Sequence, residues 1–112
     1  MDMASTLTKQ QLENLRRRLE QERARILRVL ESVETTSPRP EQETEFEEAA
    51  QRQTEQEQGL EVAARERALL VEVERALAKF AAGTYGTGEH TGAAITYERL
   101  LAVPWAREPA GG

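Results

Sequence analysis

The sequence predicts a mainly α protein: a long antiparallel coiled-coil hairpin over residues 1–82, its tip at about 35–48, followed by a small Gly-rich module over 83–112. Three observations predict it. Apolar residues recur at heptad spacing through two long stretches, a proline-containing break separates those stretches, and every glycine except Gly59 lies after the second. A chain of 112 residues with 38% apolar and only 4% aromatic residues cannot enclose a large globular core, whereas its 31% of charged residues suits long exposed helices.

The first helix has a defined start. Thr8 and Gln11 fit a capping box, and Leu7 is spaced to staple onto Leu12. Leu12, Leu15, Leu19, Ile26, Val29 and Val33 then form a heptad seam in which Glu22 fills one core slot. No Gly or Pro interrupts it, so the helix should run from Thr8 to about Glu34, roughly 40 Å at the helical rise. Thr35-Thr36-Ser37-Pro38-Arg39-Pro40 breaks it, because proline removes a backbone donor and disfavours helix at the residue before it.

The second helix starts with another candidate capping box, Thr44 with Glu47, and has Glu45, Glu47 and Glu48 in its first turn, where the helix dipole favours carboxylates. It should continue to about Ala82, with Gly59 as the one weak residue inside it. Gln and Glu fill the core-like slots between Gln51 and Gln58, so packing there is thin; Leu69, Leu70, Val73, Leu77 and Phe80 make a wide apolar face further on. Gly83-Thr84-Tyr85-Gly86 is a natural C-terminal stop. Ala93–Leu101 is expected to be a short helix or hairpin element, with Ile95, Leu100 and Trp105 packing on Leu77 and Phe80, and Glu108–Gly112 to be frayed.

A net charge of −5 argues against nucleic-acid binding by bulk electrostatics. The charge is uneven: residues 9–28 carry seven cations against three glutamates, and residues 41–61 carry eight glutamates against Arg52 alone. Two antiparallel helices so charged are expected to attract along their flanks. The chain has no cysteine, which rules out disulfides and thiolate metal sites. It shows no signal-peptide pattern and no apolar run of membrane-spanning length, so the cytoplasm is the expected compartment.

Nothing supports an enzyme. His90 is the only histidine and stands in a Gly/Thr loop without partners, and no base lies near a Ser or Thr to make a nucleophile. The glycines follow no strand and precede no basic loop residue, so they do not make a phosphate cradle. The acidic tip has two readings. Glu45 and Glu48 share one face of a first helical turn, with Ala50 on the next. They are either a solvated helix start or carboxylates carried on an arm to a partner's cations.

The residues of the C-terminal module carry a resemblance. Gly83-Thr84-Tyr85-Gly86-Thr87-Gly88-Glu89-His90-Thr91-Gly92, followed by Ile95, Arg99-Leu100, Ala102, Pro104 and Ala106, resembles the tail of the DksA/TraR family of RNA polymerase regulators. Arg65-Glu66-Arg67 with Leu69, Val73 and Leu77 resembles that family's second coiled-coil helix. Continued without a gap, the alignment brings Glu45-x-x-Glu48-x-Ala50 onto the family's Asp-x-x-Asp-x-Ala tip motif.

The resemblance covers about residues 7–109. It implies a zinc-finger-like module, but Gly88, Thr91, Pro109 and Gly112 stand where the zinc-binding cysteines would be. It therefore implies a metal-free, cofactor-free variant. It also implies a monomer that binds core RNA polymerase through the secondary channel, with Glu45, Glu48 and Ala50 near the catalytic centre and no DNA contact. The rival reading is a structural or adaptor coiled coil without a polymerase role.

Overall fold

The computed structural model describes residues 6–35 and 46–110, and three helices account for most of them: α1 (Lys9–Thr35), α2 (Phe46–Ala82) and α3 (Tyr97–Ala102). The capping box at the start of α1 is formed. The Gln11 N–H donates to Thr8 Oγ1 and the Thr8 N–H donates to Gln11 Oε1, each at 3.0 Å, satisfying two backbone donors that the first turn would otherwise leave open. The expected Thr44–Glu47 box lies outside the described residues at Thr44.

The end of α2 follows from its glycine. Gly83 adopts φ +77°, a conformation that costs a side-chain-bearing residue and costs glycine nothing. The turn it allows sends the Thr84 N–H to the Lys79 carbonyl at 2.9 Å and the Gly83 N–H to the Phe80 carbonyl at 3.3 Å. This is the Schellman pattern that closes open carbonyls at a helix end.

The chain forms two compact units. One comprises Arg25–Leu70, the second half of α1 with the first part of α2. Here the helices run antiparallel: Arg25 pairs with Glu66 at 2.9 Å, and Gly59 lies against Val33. Among its described residues the buried apolar side chains are Ile26 and Ala63. Residues 53–58 are all exposed, in keeping with their Gln- and Glu-rich seam.

The other unit comprises Met1–Ala24 with Val71–Gly112 and holds most of the buried apolar side chains among the described residues. Leu15 and Leu19 of α1, Val73 and Ala76 of α2, and Tyr85, Ile95, Leu100 and Ala106 of the C-terminal segment are all buried there. Arg23 pairs with Glu74 at 3.0 Å. Cross-helix ion pairs thus exist, Arg23 meeting Glu74 and Arg25 meeting Glu66 in the later part of α2, while Glu41, Glu43 and Glu45 lie outside the described residues. The antiparallel register, fixed by the apolar seams, puts the basic part of α1 beside the later part of α2.

Candidate functional site

Of the acidic tip, Ala50 is exposed on α2 and its carbonyl accepts the Thr54 hydroxyl at 3.1 Å. Glu48 falls in the first turn of α2. Glu45 and Gly112 lie outside the described residues, as does the side chain of Glu48.

The C-terminal segment is described in full up to Ala110. It leaves α2 through the Gly83 turn and passes Tyr85, whose ring stacks on Phe80 with centroids 4.1 Å apart. The Tyr85 hydroxyl donates to the Pro104 carbonyl at 2.8 Å, tying the start of the segment to its far end. Burial holds this phenol well above the usual tyrosine range. Thr87 and Ala94 form one antiparallel bridge, with the Gly88 N–H donating to the Ala93 carbonyl at 2.8 Å and the Ile95 N–H to the Gly86 carbonyl at 2.8 Å. The expected element at Ala93–Leu101 is therefore both things at once: a bridge at Ala94, then α3 from Tyr97. Thr96 caps α3, accepting the Arg99 N–H at 3.2 Å. The α3 residue Tyr97 meets α1, where Asn14 Nδ2 donates to its hydroxyl at 2.8 Å. The Nε of Arg99 is buried without a hydrogen-bond partner.

Ionic contacts then fasten the segment to α2. Glu89 accepts Arg75 Nε at 2.6 Å and Lys79 Nζ at 2.7 Å, and these two cations hold its carboxyl far below the ordinary range, at about 2. Arg107 Nε donates to Glu72 at 2.9 Å and lowers that carboxyl as well. The two anchors are joined through the backbone, since the Glu89 N–H donates to the Arg107 carbonyl at 2.8 Å. Sequence reasoning missed this set. Its partners lie 14 and 35 residues apart, and no local spacing announces them.

Of the four positions where the resembled family holds zinc, the three that are described offer no free ligand side chain. Gly88 has no side chain and is buried, Pro109 has no donor atom, and the Thr91 hydroxyl is committed to Glu108 Oε1 at 2.8 Å. Among the described residues no group of three or more His, Cys, Asp or Glu side chains could hold a metal ion. Glu108 was expected to fray. Instead the His90 N–H donates to Glu108 Oε2, and the carboxyl is lowered by that contact first and the Thr91 hydroxyl second. The Arg107–Glu72 pair just before Glu108 anchors this stretch to α2.

The geometry defines a mainly helical protein whose C-terminal segment is fastened to α2 by polar contacts, and its overall fold is found in a solved structure. The structure of the transcription factor DksA2 from Pseudomonas aeruginosa superposes with a TM-score of 0.79 and 26% identity over 97% of this chain and 84% of that one, so the chain has a DksA-like fold. No family model matches the sequence. General stress protein 16O of Bacillus subtilis is 62% identical over 42 residues, which are 38% of this chain and only 26% of that protein's length. An uncharacterized protein of Aquifex aeolicus is 36% identical over 105 residues, 90% of this chain and 72% of that one, and the chain belongs to the same family as this Aquifex protein. No helix among the described residues is long and apolar enough to cross a membrane.

Proposed function

We propose that the protein is a transcription regulator of the DksA/TraR type that binds RNA polymerase directly. The single observation that carries this reading is the likeness to DksA2, which extends over 97% of the chain at 26% identity. On this reading α1 and α2 form one long coiled-coil hairpin that enters the secondary channel of the polymerase. Its tip carries Glu45 and Glu48 toward the catalytic centre, and Ala50 allows close packing there. Two carboxylates on a narrow arm are suited to compete for a catalytic cation or for basic side chains around it. The segment after Gly83 takes the place of the family's zinc finger without zinc. The protein acts as a monomer in the cytoplasm, makes no DNA contact and catalyses no reaction.

The test is purification of core RNA polymerase on the immobilised protein, followed by competition with another secondary-channel factor and by in vitro transcription. Retention of polymerase that the competitor displaces supports the reading. Absence of binding to core polymerase at micromolar concentration defeats it and leaves an adaptor coiled coil in its place.

A further inference from the structure

We infer that the Glu108 carboxylate is the lock of the C-terminal segment, and that Gly88 is a glycine in order to make room for it. The carboxylate spans two donors on one loop: Oε2 accepts the His90 N–H at 2.5 Å and Oε1 accepts the Thr91 hydroxyl at 2.8 Å. The Thr91 hydroxyl oxygen in turn accepts the Ala93 N–H at 3.1 Å, so the lock reaches the far side of the loop. The loop is closed on itself by the Gly92 N–H to the Gly88 carbonyl at 3.0 Å.

Gly88 is the other half of the device. It is not among the positive-φ glycines, which are Gly83, Gly86 and Gly92, so its dihedral angles do not call for glycine. Space does. A Cβ at position 88 would collide with Glu108 Oε1 and stand 2.6 Å from Thr91 Oγ1, inside van der Waals contact. With a side chain at 88 the Glu108 carboxylate, the far end of a flexible side chain, must leave the position it holds here.

The lock rests on the proposed reading only for its comparison: where the resembled family ties this loop to the C-terminal turn with thiolates around a metal, this chain uses one carboxylate that accepts from His90 and Thr91, with Ala93 donating to Thr91 in turn. The carboxylate occupies the volume that a ligand side chain at 88 would need. Cysteines restored at 88 and 91 would therefore meet Glu108 before they met a metal. The lock is made of contacts within this chain and stands whether or not the protein binds polymerase.

The experiment is amide hydrogen exchange of residues 88–92 in the native protein, Glu108→Ala, Gly88→Ala, the double variant and Glu108→Gln, with helix content checked by circular dichroism. In Glu108→Ala the His90 amide should exchange about ten-fold faster, the order expected for a lost charge-assisted hydrogen bond. Gly88→Ala should loosen the same amide, because its Cβ expels the carboxylate, and the double variant should be no looser than Glu108→Ala alone. Glu108→Gln, which keeps one acceptor oxygen, should fall between native and Glu108→Ala. Unchanged His90 protection in Glu108→Ala, or full additivity of the two alanine effects, overturns the inference. Should the alanine variants not fold, the glutamine variant decides: native protection in it overturns the lock, and faster exchange confined to 88–92 supports it.

Discussion

Glu89 holds Arg75 at 2.6 Å, linking a loop after the Gly83 turn back to the helix that precedes it, and Lys79 one turn further along α2 meets the same carboxylate oxygen at 2.7 Å. One carboxylate shared by two cations has a definite consequence for pH. Its folded-state value of about 2 lies below its ordinary 4.5, so the stabilisation is fully present above about 4.5 and is lost as pH falls toward 2. Thermal melts over that interval should show native protein losing stability more steeply than Glu89→Gln. At neutral pH Glu89→Gln should melt lower than native, and the gap should shrink in 1 M salt because Arg75 is about half exposed and open to screening. Equal melting of the two proteins in low salt would show that the clasp adds nothing.

Tyr85 gives a second prediction with a different readout. Its ring contact with Phe80 would survive Tyr85→Phe, so the variant isolates the hydroxyl and its bond to the Pro104 carbonyl. Leaving that buried carbonyl without its donor should cost about 1–2 kcal/mol. In the native protein, ultraviolet titration should find one tyrosine that ionises only well above the ordinary range, and Tyr85→Phe should abolish that step. An unchanged titration curve in the variant would assign the late step elsewhere.

Gly59 is where the sequence leaves stability unclaimed. It lies inside α2, and a Cβ there would stand 3.6 Å from Val33 Cγ1, an ordinary contact. Gly59→Ala should therefore gain roughly 0.5–1 kcal/mol of helix propensity without a clash. Denaturant melts should move to a higher midpoint. A lower midpoint would mean that Val33 cannot accept the added methyl.

The helical part of the fold was legible because its signals are local. The Thr8–Gln11 cap, the Leu15–Leu19–Ile26 seam and the Gly83 stop each follow from residues within a turn or two of one another, and each is found as expected. Ala63 and Ala76 were not legible as core, since alanine recurs on every face of α2 and burial selects among identical residues only by register. The C-terminal clasp was illegible for a related reason. Glu72, Glu89 and Glu108 look like any other surface glutamate until the chain turns back and sets Arg107, Arg75 and the 90–91 loop against them. The frayed tail expected at Glu108 came from composition, Pro and Gly near a terminus, and two specific donors, the His90 N–H and the Thr91 hydroxyl, overrode it.

At the acidic tip, binding and effect should separate. On the proposed reading, most of the contact with polymerase is made along the helices and the C-terminal segment, while Glu45 and Glu48 present a small charged surface near the catalytic centre. Replacing both with alanine should leave polymerase retention largely unchanged and remove the effect on transcription. The folding cost should be modest, since acids in a first helical turn contribute about 0.3–1 kcal/mol each. Circular dichroism at neutral pH can verify that the helices persist. Ala50→Asp, on an exposed position of α2, is the companion variant: it keeps both acids and adds a carboxylate beside them. If close packing at Ala50 matters, it should weaken retention where the double alanine variant does not. Regulation by the double alanine variant at the native level would reduce Glu45 and Glu48 to a solvated helix start, even if polymerase binding itself were intact.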